Sequence, residues 1–421
     1  MQSTLSQRDA RYAVAFLVTL LVACESPDRG VTSPTSPPRA DSVVSSLGTA
    51  ASVTALGDPF SNLTADELAR FTAGKDEFEA AEAVDEGLGP VFNEAACVTC
   101  HNLPVGGTTG RRETRFGRTR PDGSFDPMSE FGGSLIQDQG IGDVGGPPPT
   151  HTFVGEVPPT EATIIAGRIT TQLFGLGLVD AVPDVELIRL AQFQASYTPA
   201  TAGTPNMVTE IATGRTRVGR FGWKAQVPTL HQFSGDAYLN EMGITNPEFP
   251  AESCPQGDCA ALAFNPMPAL NDDGEGVDKF TDFMTLLAPP PRGPRTLQVI
   301  QGSGVFALIG CANCHTPALV TGPSPVAALS GKVFQPFSDF LLHDMGSLGD
   351  GIVQGVSTPR QMRTAPLWGV STRGALLHDG RAATIGAAIL AHDGQGRGAR
   401  NRFAGLGPRA REALLAFLNS L

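Results

Sequence analysis

The sequence has few charged residues, few tyrosines and tryptophans, and no excess of basic residues. Only 17% of its 421 residues are charged, and the formal net charge is −12. A chain with this acidic balance is a poor ligand for nucleic acid, so that class of function is excluded. Near the N-terminus, the apolar run of residues 12–22 is too short to cross a bilayer as a helix. A protein with a hydrophobic core and polar surface is therefore expected.

Cysteine and histidine are also scarce, with seven residues of each, yet they include two copies of Cys-x-x-Cys-His. Two thiols on one turn can each form a thioether with a haem vinyl group, and the adjacent imidazole then lies under the iron. A zinc site or a redox dithiol, the alternatives, would not need that histidine. The pattern predicts two covalently bound haem c groups. Their predicted thioether cysteines and axial histidines are Cys97, Cys100 and His101 in the first copy, and Cys311, Cys314 and His315 in the second.

The N-terminal segment is typical of an exported protein. Residues 1–23 combine two arginines with the short apolar run and are predicted to be a signal peptide. The run ends in Leu-Val-Ala-Cys, which resembles a bacterial lipobox and implies lipidation of Cys24; an ordinary signal peptide cut nearby is the alternative. Glu25 follows that cysteine and favours the outer membrane, so we expect a lipoprotein facing the periplasm and held by its lipid anchor alone. Residues 24–57 are predicted to be a flexible tether.

Two cysteines remain, Cys254 and Cys259, in Cys-Pro-Gln-Gly-Asp-Cys. In an oxidising compartment such a pair is expected to form a local disulfide. A redox-active pair is the alternative, which the spacing disfavours because it does not match Cys-x-x-Cys.

The abundance of glycine (49) and proline (34) indicates long ordered loops between helices. We therefore expect an all-α fold of two c-type cytochrome-like haem domains, residues 58–288 and 289–421. Val-Phe precedes the first Cys of each motif by the same interval, at residues 91–92 and 305–306, which suggests a duplicated unit. An amphipathic C-terminal helix, residues 409–421, is expected to cross the helix before the second motif.

The segments around the first motif are less regular. Residues 102–151 are rich in glycine and proline and are predicted to be an ordered loop around the first haem. His151 at the end of that loop could be a second axial ligand, although a lone histidine in a loop is more often structural. The apolar residues between 161 and 194 suggest two helices broken by glycine and proline.

Four further motifs, taken with the two Cys-x-x-Cys-His sites, resemble the di-haem oxidoreductase family, whose members are often named thiol oxidoreductases. That family is related to the bacterial di-haem cytochrome c peroxidases, and the resemblance covers residues 68–421. The four motifs are Gly-Arg-Phe-Gly-Trp-Lys-Ala at 219–225, Leu-Leu-His-Asp-Met-Gly at 341–346, Arg-Thr-Ala-Pro-Leu-Trp-Gly at 363–369 and His-Asp-Gly-Arg-Ala at 378–382.

The resemblance implies a division of labour between the two haems. In the related peroxidases the N-terminal haem reacts with hydrogen peroxide and the C-terminal haem receives electrons from a small donor protein of the cytochrome or cupredoxin type. Electrons would then pass from the C-terminal to the N-terminal haem. The first iron needs an open site for peroxide, whereas the second needs two protein ligands.

The second ligand of the C-terminal haem is implied by position. The peroxidases carry this ligand fourteen residues after the histidine of their His-Asp-Gly motif, which here leads from His378 to His392. They usually have methionine there, and a bis-histidine haem has a lower potential than a histidine–methionine haem. Met345 and Met362 are rival ligands, and a purely structural His392 is a further alternative.

On the reactive side of the first haem, the resemblance assigns three residues. Gln232 and Glu241 match a polar residue and a carboxylate that transfers protons during cleavage of the peroxide O–O bond. Trp223 matches a tryptophan between the haems that relays electrons. A solvated Glu241 and a Trp223 that serves only as a core aromatic are the alternatives.

The leading hypothesis is a di-haem enzyme that reduces hydrogen peroxide or uses it to oxidise a partner. A non-catalytic di-haem electron-transfer cytochrome, with both irons six-coordinate, is the alternative. Thiol oxidation is a third hypothesis, based on the family name and on Cys254 and Cys259. The resemblance also allows a calcium ion between the domains, but oxygen ligands are too common in this sequence to single out a site.

Overall fold

The computed structural model describes residues 55–421. The predicted signal peptide, the lipidation site Cys24 and nearly all of the predicted tether lie outside these residues. Nine α-helices are present in the described part: α1 Ala65–Glu79, α2 Leu176–Asp180, α3 Asp184–Tyr197, α4 Leu230–Met242, α5 Glu275–Leu286, α6 Leu297–Leu308, α7 Ile385–Ala391, α8 Arg397–Ala404 and α9 Pro408–Asn419.

Short antiparallel strands connect the helices. The longest pair, β2 (Arg112–Thr119) and β8 (Ile164–Ile169), places Arg112 opposite Ile169 and Gly117 opposite Ile164. In chain order the strands are β1 Val91–Phe92, β2 Arg112–Thr119, β3 Phe125–Asp126, β4 Leu135–Ile136, β5 Gln139–Gly140, β6 Gly142–Val144, β7 His151–Phe153, β8 Ile164–Ile169, β9 Asn206–Glu210, β10 Arg215–Gly219, β11 Leu319–Val320, β12 Val333–Phe334, β13 Leu342–Asp344 and β14 Gln361–Arg363.

The predicted all-α class is therefore wrong, because the fold is mixed, with 36% helix and 15% strand. Residues 102–151, predicted as loop, contain most of β2–β7, and residues 164–169, predicted as helix, form β8. Most strands have two or three residues, too few to show an alternating pattern. Their partners are often remote in sequence, so only the folded chain reveals the pairing.

The helices before the two cysteine motifs pack in the same way. Helix α1 packs against α5, and α6 packs against α9, which is the predicted crossing of the C-terminal helix. Each crossing is close because a glycine lies at it: a Cβ atom at Gly74 would overlap the backbone of Lys279, and one at Gly302 would overlap Ala413. The two halves therefore repeat one helix-pair arrangement.

This repeat does not align the two Val-Phe pairs. Val91 and Phe92 form a strand that pairs with β5, whereas Val305 and Phe306 lie within α6. The residue equivalent to Phe306 is Phe78, at the end of α1. The Phe78 ring lies 5.9 Å from that of His101 and the Phe306 ring 6.4 Å from that of His315, measured between centroids.

Two apolar clusters form most of the core of the described residues. One joins α1, α4 and α5 and also includes Phe340 and Trp368, and the other surrounds α6 and α9. Residues 55–421 belong to one compact unit. A boundary between haem domains at residue 289 therefore remains a prediction.

Buried charges link distant segments of this unit. The carboxylate of Asp350 lies 2.7 Å from a guanidinium nitrogen of Arg168 on β8 and 2.9 Å from the ammonium of Lys224. All three side chains are almost fully buried. Such a group contributes little net stability after desolvation, but it fixes how the segments meet, because any other arrangement would leave a charge unpaired.

Candidate functional site

The first Cys-x-x-Cys-His motif forms one wall of a cavity of about 160 Å³. Cys97–Thr99 is a 3₁₀ turn, and the backbone N–H groups of Cys100 and His101 both donate to the carbonyl of Cys97. This tight turn directs both sulfurs and the imidazole toward the same space. Burial raises the pKa of Cys97 and of Cys100 to about 12. Protonated thiols are poor redox nucleophiles, so the redox-dithiol alternative loses support.

Glu241 lies across this cavity, in the last turn of α4. Thr229 caps the start of that helix, and Gly243 ends it in a left-handed conformation. The carboxylate of Glu241 accepts a hydrogen bond of 2.8 Å from the side-chain amide of Asn93, and its carbonyl accepts one of 2.7 Å from the Asn93 N–H. The side chain is therefore held in the cavity and is not a solvated surface residue.

A second carboxylate, Glu113 on β2, lies beside Glu241. It forms two hydrogen bonds of 3.0 Å with the guanidinium of Arg115, two residues along the same strand face. Burial raises the pKa of Glu113, but the charges of Arg115 and Arg168 and a hydrogen bond with Glu241 outweigh that effect, and the net shift is downward. Glu113 is therefore the ionised member of the carboxyl pair.

The pKa of Glu241 moves in the opposite direction. Burial raises it to about 7, and the negative charge of Glu113 adds to the rise. Burial also raises the pKa of Asp236, which lines the same cavity one helical turn earlier, to about 6. When two carboxyl groups interact closely, one proton is shared by the pair, and here Glu241 carries it. Glu241 can accordingly accept and donate a proton near neutral pH.

Gln232 does not line this cavity, which corrects its sequence-based placement. Its side-chain carbonyl accepts a hydrogen bond of 2.9 Å from the N–H of Ile211, and its amide faces the carbonyl of Thr209. Position 232 is in the first turn of α4 and Glu241 in the last, so the two side chains are separated along the helix. Asn93, Glu113 and Arg115 are the polar neighbours of Glu241 instead.

The second motif forms part of a larger cavity of about 230 Å³. Cys311–Asn313 is again a 3₁₀ turn, and the N–H of His315 donates to the carbonyl of Cys311. His392, just after α7, lines the same cavity, and its ring centroid is 6.4 Å from that of His315. The Nδ1 atoms of both rings lie within 2.9 Å of backbone carbonyls, those of Phe337 and Ala388.

This spacing fits a metal ion between the two imidazoles. With metal–nitrogen bonds of about 2 Å and each nitrogen about 1 Å from its ring centroid, the centroids of two opposed ligands lie roughly 6 Å apart. Burial lowers the pKa of His315 to about 4 and also lowers that of His392, so both are neutral, the form that binds metals. The donors of the second cavity therefore fit a haem with two histidine ligands.

The first cavity has a different set of candidate ligands, His101 together with Met242 and Met284. Burial lowers the pKa of His101 to about 4, which keeps this imidazole neutral. Within residues 55–421 no other histidine lines that cavity. His151, an alternative ligand, instead stacks on Phe264 at 4.9 Å.

The other residues of the sequence motifs are also located. Met345 and Met362 line the second cavity with His392, so both remain near the predicted iron position. His343 bonds to Asp339 at 2.9 Å and lies 3.4 Å from the Cys314 sulfur. His378 lines the cavity beside Trp223, with ring centroids 6.2 Å apart.

Trp223 lines both cavities. Its indole N–H donates to the carbonyl of Ile169 at 2.8 Å, and its own carbonyl accepts the N–H of Arg363 at 2.9 Å. A residue of β8 therefore anchors the ring, and a residue of β14 anchors the backbone of the same tryptophan. The alternative of a core aromatic with no relation to either cavity does not describe this position.

Sequence reasoning missed Asn93, Glu113, Arg115 and Asp236. The spacing Glu-x-Arg in a strand would place Glu113 and Arg115 on one face, but the strand itself was not predicted. Asn93 belongs to no motif and reaches Glu241 only through the packing of β1 against α4. Asp236 also belongs to no motif, and it lies near Glu241 because both residues are on α4.

Cys254 and Cys259 form a disulfide outside both cavities. Among residues 55–421 there is no group of three or more His, Cys, Asp or Glu side chains arranged to hold a metal ion. The same residues include no helix long and apolar enough to cross a membrane.

Two solved structures resemble the chain over most of its length. A hydrazine synthase from Kuenenia stuttgartiensis, determined under xenon pressure, is 15% identical with a TM-score of 0.39, covering 92% of this chain and 100% of its own. A MauG-like protein associated with microbial copper homeostasis is 14% identical with a TM-score of 0.38, covering 88% and 92%. Because both TM-scores are below 0.5, neither neighbour supports an inference about function.

No curated protein matches the sequence significantly. The family model described as "Di-haem oxidoreductase, putative peroxidase" matches residues 160–421, more than half of the chain. The chain therefore belongs to this family of di-haem, peroxidase-like oxidoreductases, and its cofactors are haem groups.

Proposed function

We propose that the protein is a c-type di-haem peroxidase in which the first cavity reacts with hydrogen peroxide and the second receives electrons. Cys97 and Cys100 would hold one haem covalently, and Cys311 and Cys314 the other. His101 would be the single protein ligand of the first, and His315 and His392 the two ligands of the second. Haem iron, when bound, supplies the redox chemistry.

The observation that carries this proposal is the position and acidity of Glu241. The group lines the same cavity as His101, in which no second histidine lies among the described residues, and its pKa is raised to about 7. Glu241 accepts a proton from the near oxygen of peroxide and returns it to the far oxygen, which leaves as water. Two electrons and two further protons complete the reduction of one peroxide to two waters.

The neighbours of Glu241 prepare it for this task. Asn93 donates a hydrogen bond to the carboxylate and so fixes its direction. Arg115 keeps Glu113 ionised, and that fixed negative charge helps to raise the pKa of Glu241 toward neutrality, where the group can both accept and return a proton. Positioned donors and charges of this kind act without reorganising during the reaction.

We also propose that electrons pass from the second cavity toward the first, and that Trp223 is the side chain between them. The ring lines both cavities and is fixed by the hydrogen bond from its N–H to the carbonyl of Ile169. The net charge of −12 suits a small basic electron donor, of the cytochrome or cupredoxin type. The N-terminal sequence supports export to the periplasm and anchoring in the outer membrane through lipidated Cys24.

Spectra of the purified protein test the proposal. Mass spectrometry should show two covalent haems, and electron paramagnetic resonance should show one high-spin haem, in the oxidised or half-reduced protein, that changes when peroxide is added. If both irons remain low-spin in every redox state and peroxide changes nothing, the protein is an electron-transfer cytochrome and the peroxidase proposal is wrong.

A further inference from the structure

Two arginines from the third family motif and its C-terminal neighbourhood line the second cavity, and the proposed reaction gives them no role. Arg363 ends β14 and is 7% exposed, and Arg373 follows the 3₁₀ turn Val370–Thr372. Pro366 and Leu367 line the same cavity.

Their hydrogen bonds go only to neutral groups. Arg363 donates to the carbonyls of Gly222 at 2.6 Å and Thr364 at 3.2 Å. Arg373 donates to the side-chain carbonyl of Gln172 at 3.0 Å and to the carbonyls of Pro366 and Trp368. Neither arginine forms an ion pair with any carboxylate of residues 55–421. One terminal nitrogen of each, Nη2 of Arg363 and Nη1 of Arg373, has no hydrogen-bond partner among these residues.

Other buried arginines of the protein have carboxylate partners. Arg168 pairs with Asp350 at 2.7 Å, Arg115 with Glu113 at 3.0 Å, and Arg220 with Asp184. An unpaired guanidinium in a dry interior is costly, because it loses its hydration without a compensating charge. Arg363, which is buried, and Arg373, which is half-buried, are thus two cations that lack an anion.

The local electrostatics agree with this deficit. Burial lowers the pKa of Arg363 to about 10, and repulsion from Arg373 contributes further; burial alone lowers the pKa of Arg373 to about 10. Asp339 attracts Arg363 from a distance, but its carboxylate is already bonded to His343 at 2.9 Å and to Gln194 at 2.8 Å.

We propose that Arg363 and Arg373 bind the two carboxylate groups of the porphyrin in the second cavity. This inference rests on the proposed function, which attaches that porphyrin to Cys311 and Cys314. Each free guanidinium nitrogen donates a charge-assisted hydrogen bond, and the pair orients the ring relative to His315. The positive charges also disfavour oxidised iron, so they offset the low potential that a second histidine ligand gives.

Spectroelectrochemical titration and resonance Raman spectroscopy of the haem-loaded protein test the assignment. We expect Arg363→Gln and Arg373→Gln each to lower the reduction potential of one haem and to shift its carboxylate bending band, while the other haem is unchanged. Arg363→Lys should recover the potential but not the band, because lysine keeps the charge and loses the planar fork. The matched control is Arg360→Gln, three residues earlier, where the side chain is 61% exposed and pairs with Asp344.

Several results would overturn the assignment. Glutamine variants that match Arg360→Gln in potential and Raman band would show that these arginines do not contact the porphyrin. A wild-type potential that follows phosphate concentration would show that a free anion occupies the site. Should a glutamine variant not fold, the lysine variants at both positions must still shift the band. Failure to find covalent haem on the second motif would instead disprove the proposed function.

Discussion

The two cavities begin with the same motif and differ in the wall opposite it. In each, a 3₁₀ turn presents two cysteines and a histidine, and a phenylalanine from the preceding helix lies close to the imidazole. The second cavity also contains another imidazole, His392, 6.4 Å from His315 between ring centroids, whereas the first contains a carboxyl group, Glu241. In the proposed function the repeated motif sets where each haem is held, and the other lining residues set what its iron does.

The strongest way to break this comparison is to remove the acid from the first cavity. We expect Glu241→Gln to slow peroxide turnover by about 10²–10⁴-fold, the usual contribution of a general acid–base group, with both haems still attached. Stopped-flow measurement of peroxide consumption checks this. Glu252→Gln is the matched control, because burial raises the pKa of Glu252 to about 7 as well, yet it lines neither cavity.

The same residue predicts a pH dependence. Glu241 must be ionised to accept the first proton, so kcat/KM should rise with pH through about 7 and lose that step in Glu241→Gln. Folding raises the pKa of this acid, so between the unfolded value near 4.5 and about 7 the folded chain binds more protons. The contribution of Glu241 to stability therefore falls as pH rises across that window. A pH profile that is identical in the variant would contradict the assignment.

The second comparison concerns the ligand opposite His315. His392→Ala should convert only the C-terminal haem to a high-spin form, because a low-spin iron needs both strong axial ligands. Electron paramagnetic resonance distinguishes the two haems. Met345→Leu and Met362→Leu are the controls, since both methionines line the cavity; if one of them changes the spin state and His392→Ala does not, that methionine is the ligand.

The third comparison concerns Trp223, the tryptophan that lines both cavities. We expect Trp223→Phe to slow electron transfer between the haems while leaving both absorption spectra unchanged. The phenyl ring is smaller than the indole and has no N–H to donate to the carbonyl of Ile169. Trp368→Phe is the matched control: Trp368 is 3% exposed but lines neither cavity. Equal rates in the two variants, measured by rapid mixing with a reductant, would remove Trp223 from the path.

The smallest effect is expected outside both cavities. Replacing Cys254 and Cys259 with serine should lower the free energy of unfolding by about 2 kcal/mol, because the disulfide closes only a short loop. Denaturant titration checks this. Haem spectra and peroxide turnover should not change, and a loss of turnover in the folded variant would favour the thiol-oxidation hypothesis.

The sequence predicted the attachment motifs and the order of the sites along the chain. The crossing of the C-terminal helix also follows from a local pattern, and the structure contains it. The all-α expectation failed because the strands are short and their partners remote. The equivalence of the two Val-Phe pairs failed for a similar reason: a dipeptide has no fixed structure, and Val91 and Phe92 pair with β5.

The residues of the candidate site also fall into those that the sequence identified and those that only the folded structure revealed. Glu241 and Trp223 were found through their motifs. Gln232 was misplaced because the helix that carries both residues was not predicted, and nine residues along it separate their Cα atoms by roughly 13 Å along its axis. Glu113 and Arg115 could not be predicted, because β2 was not predicted and Glu113 meets Glu241 only in the folded chain. Arg363 was inside a motif, yet its lack of an anion is visible only when every carboxylate of the described residues is located.

By itself, the sequence determined the chemistry that depends on neighbouring residues: two thiols and an imidazole on one turn, placed twice. The tertiary structure alone decided which side chains oppose them, because a facing residue comes from a remote segment and its position is set by packing. Burial decided the electrostatics of both sites. The pKa of Glu241 and the unpaired charge of Arg363 depend on removal from water and on the charges that remain nearby.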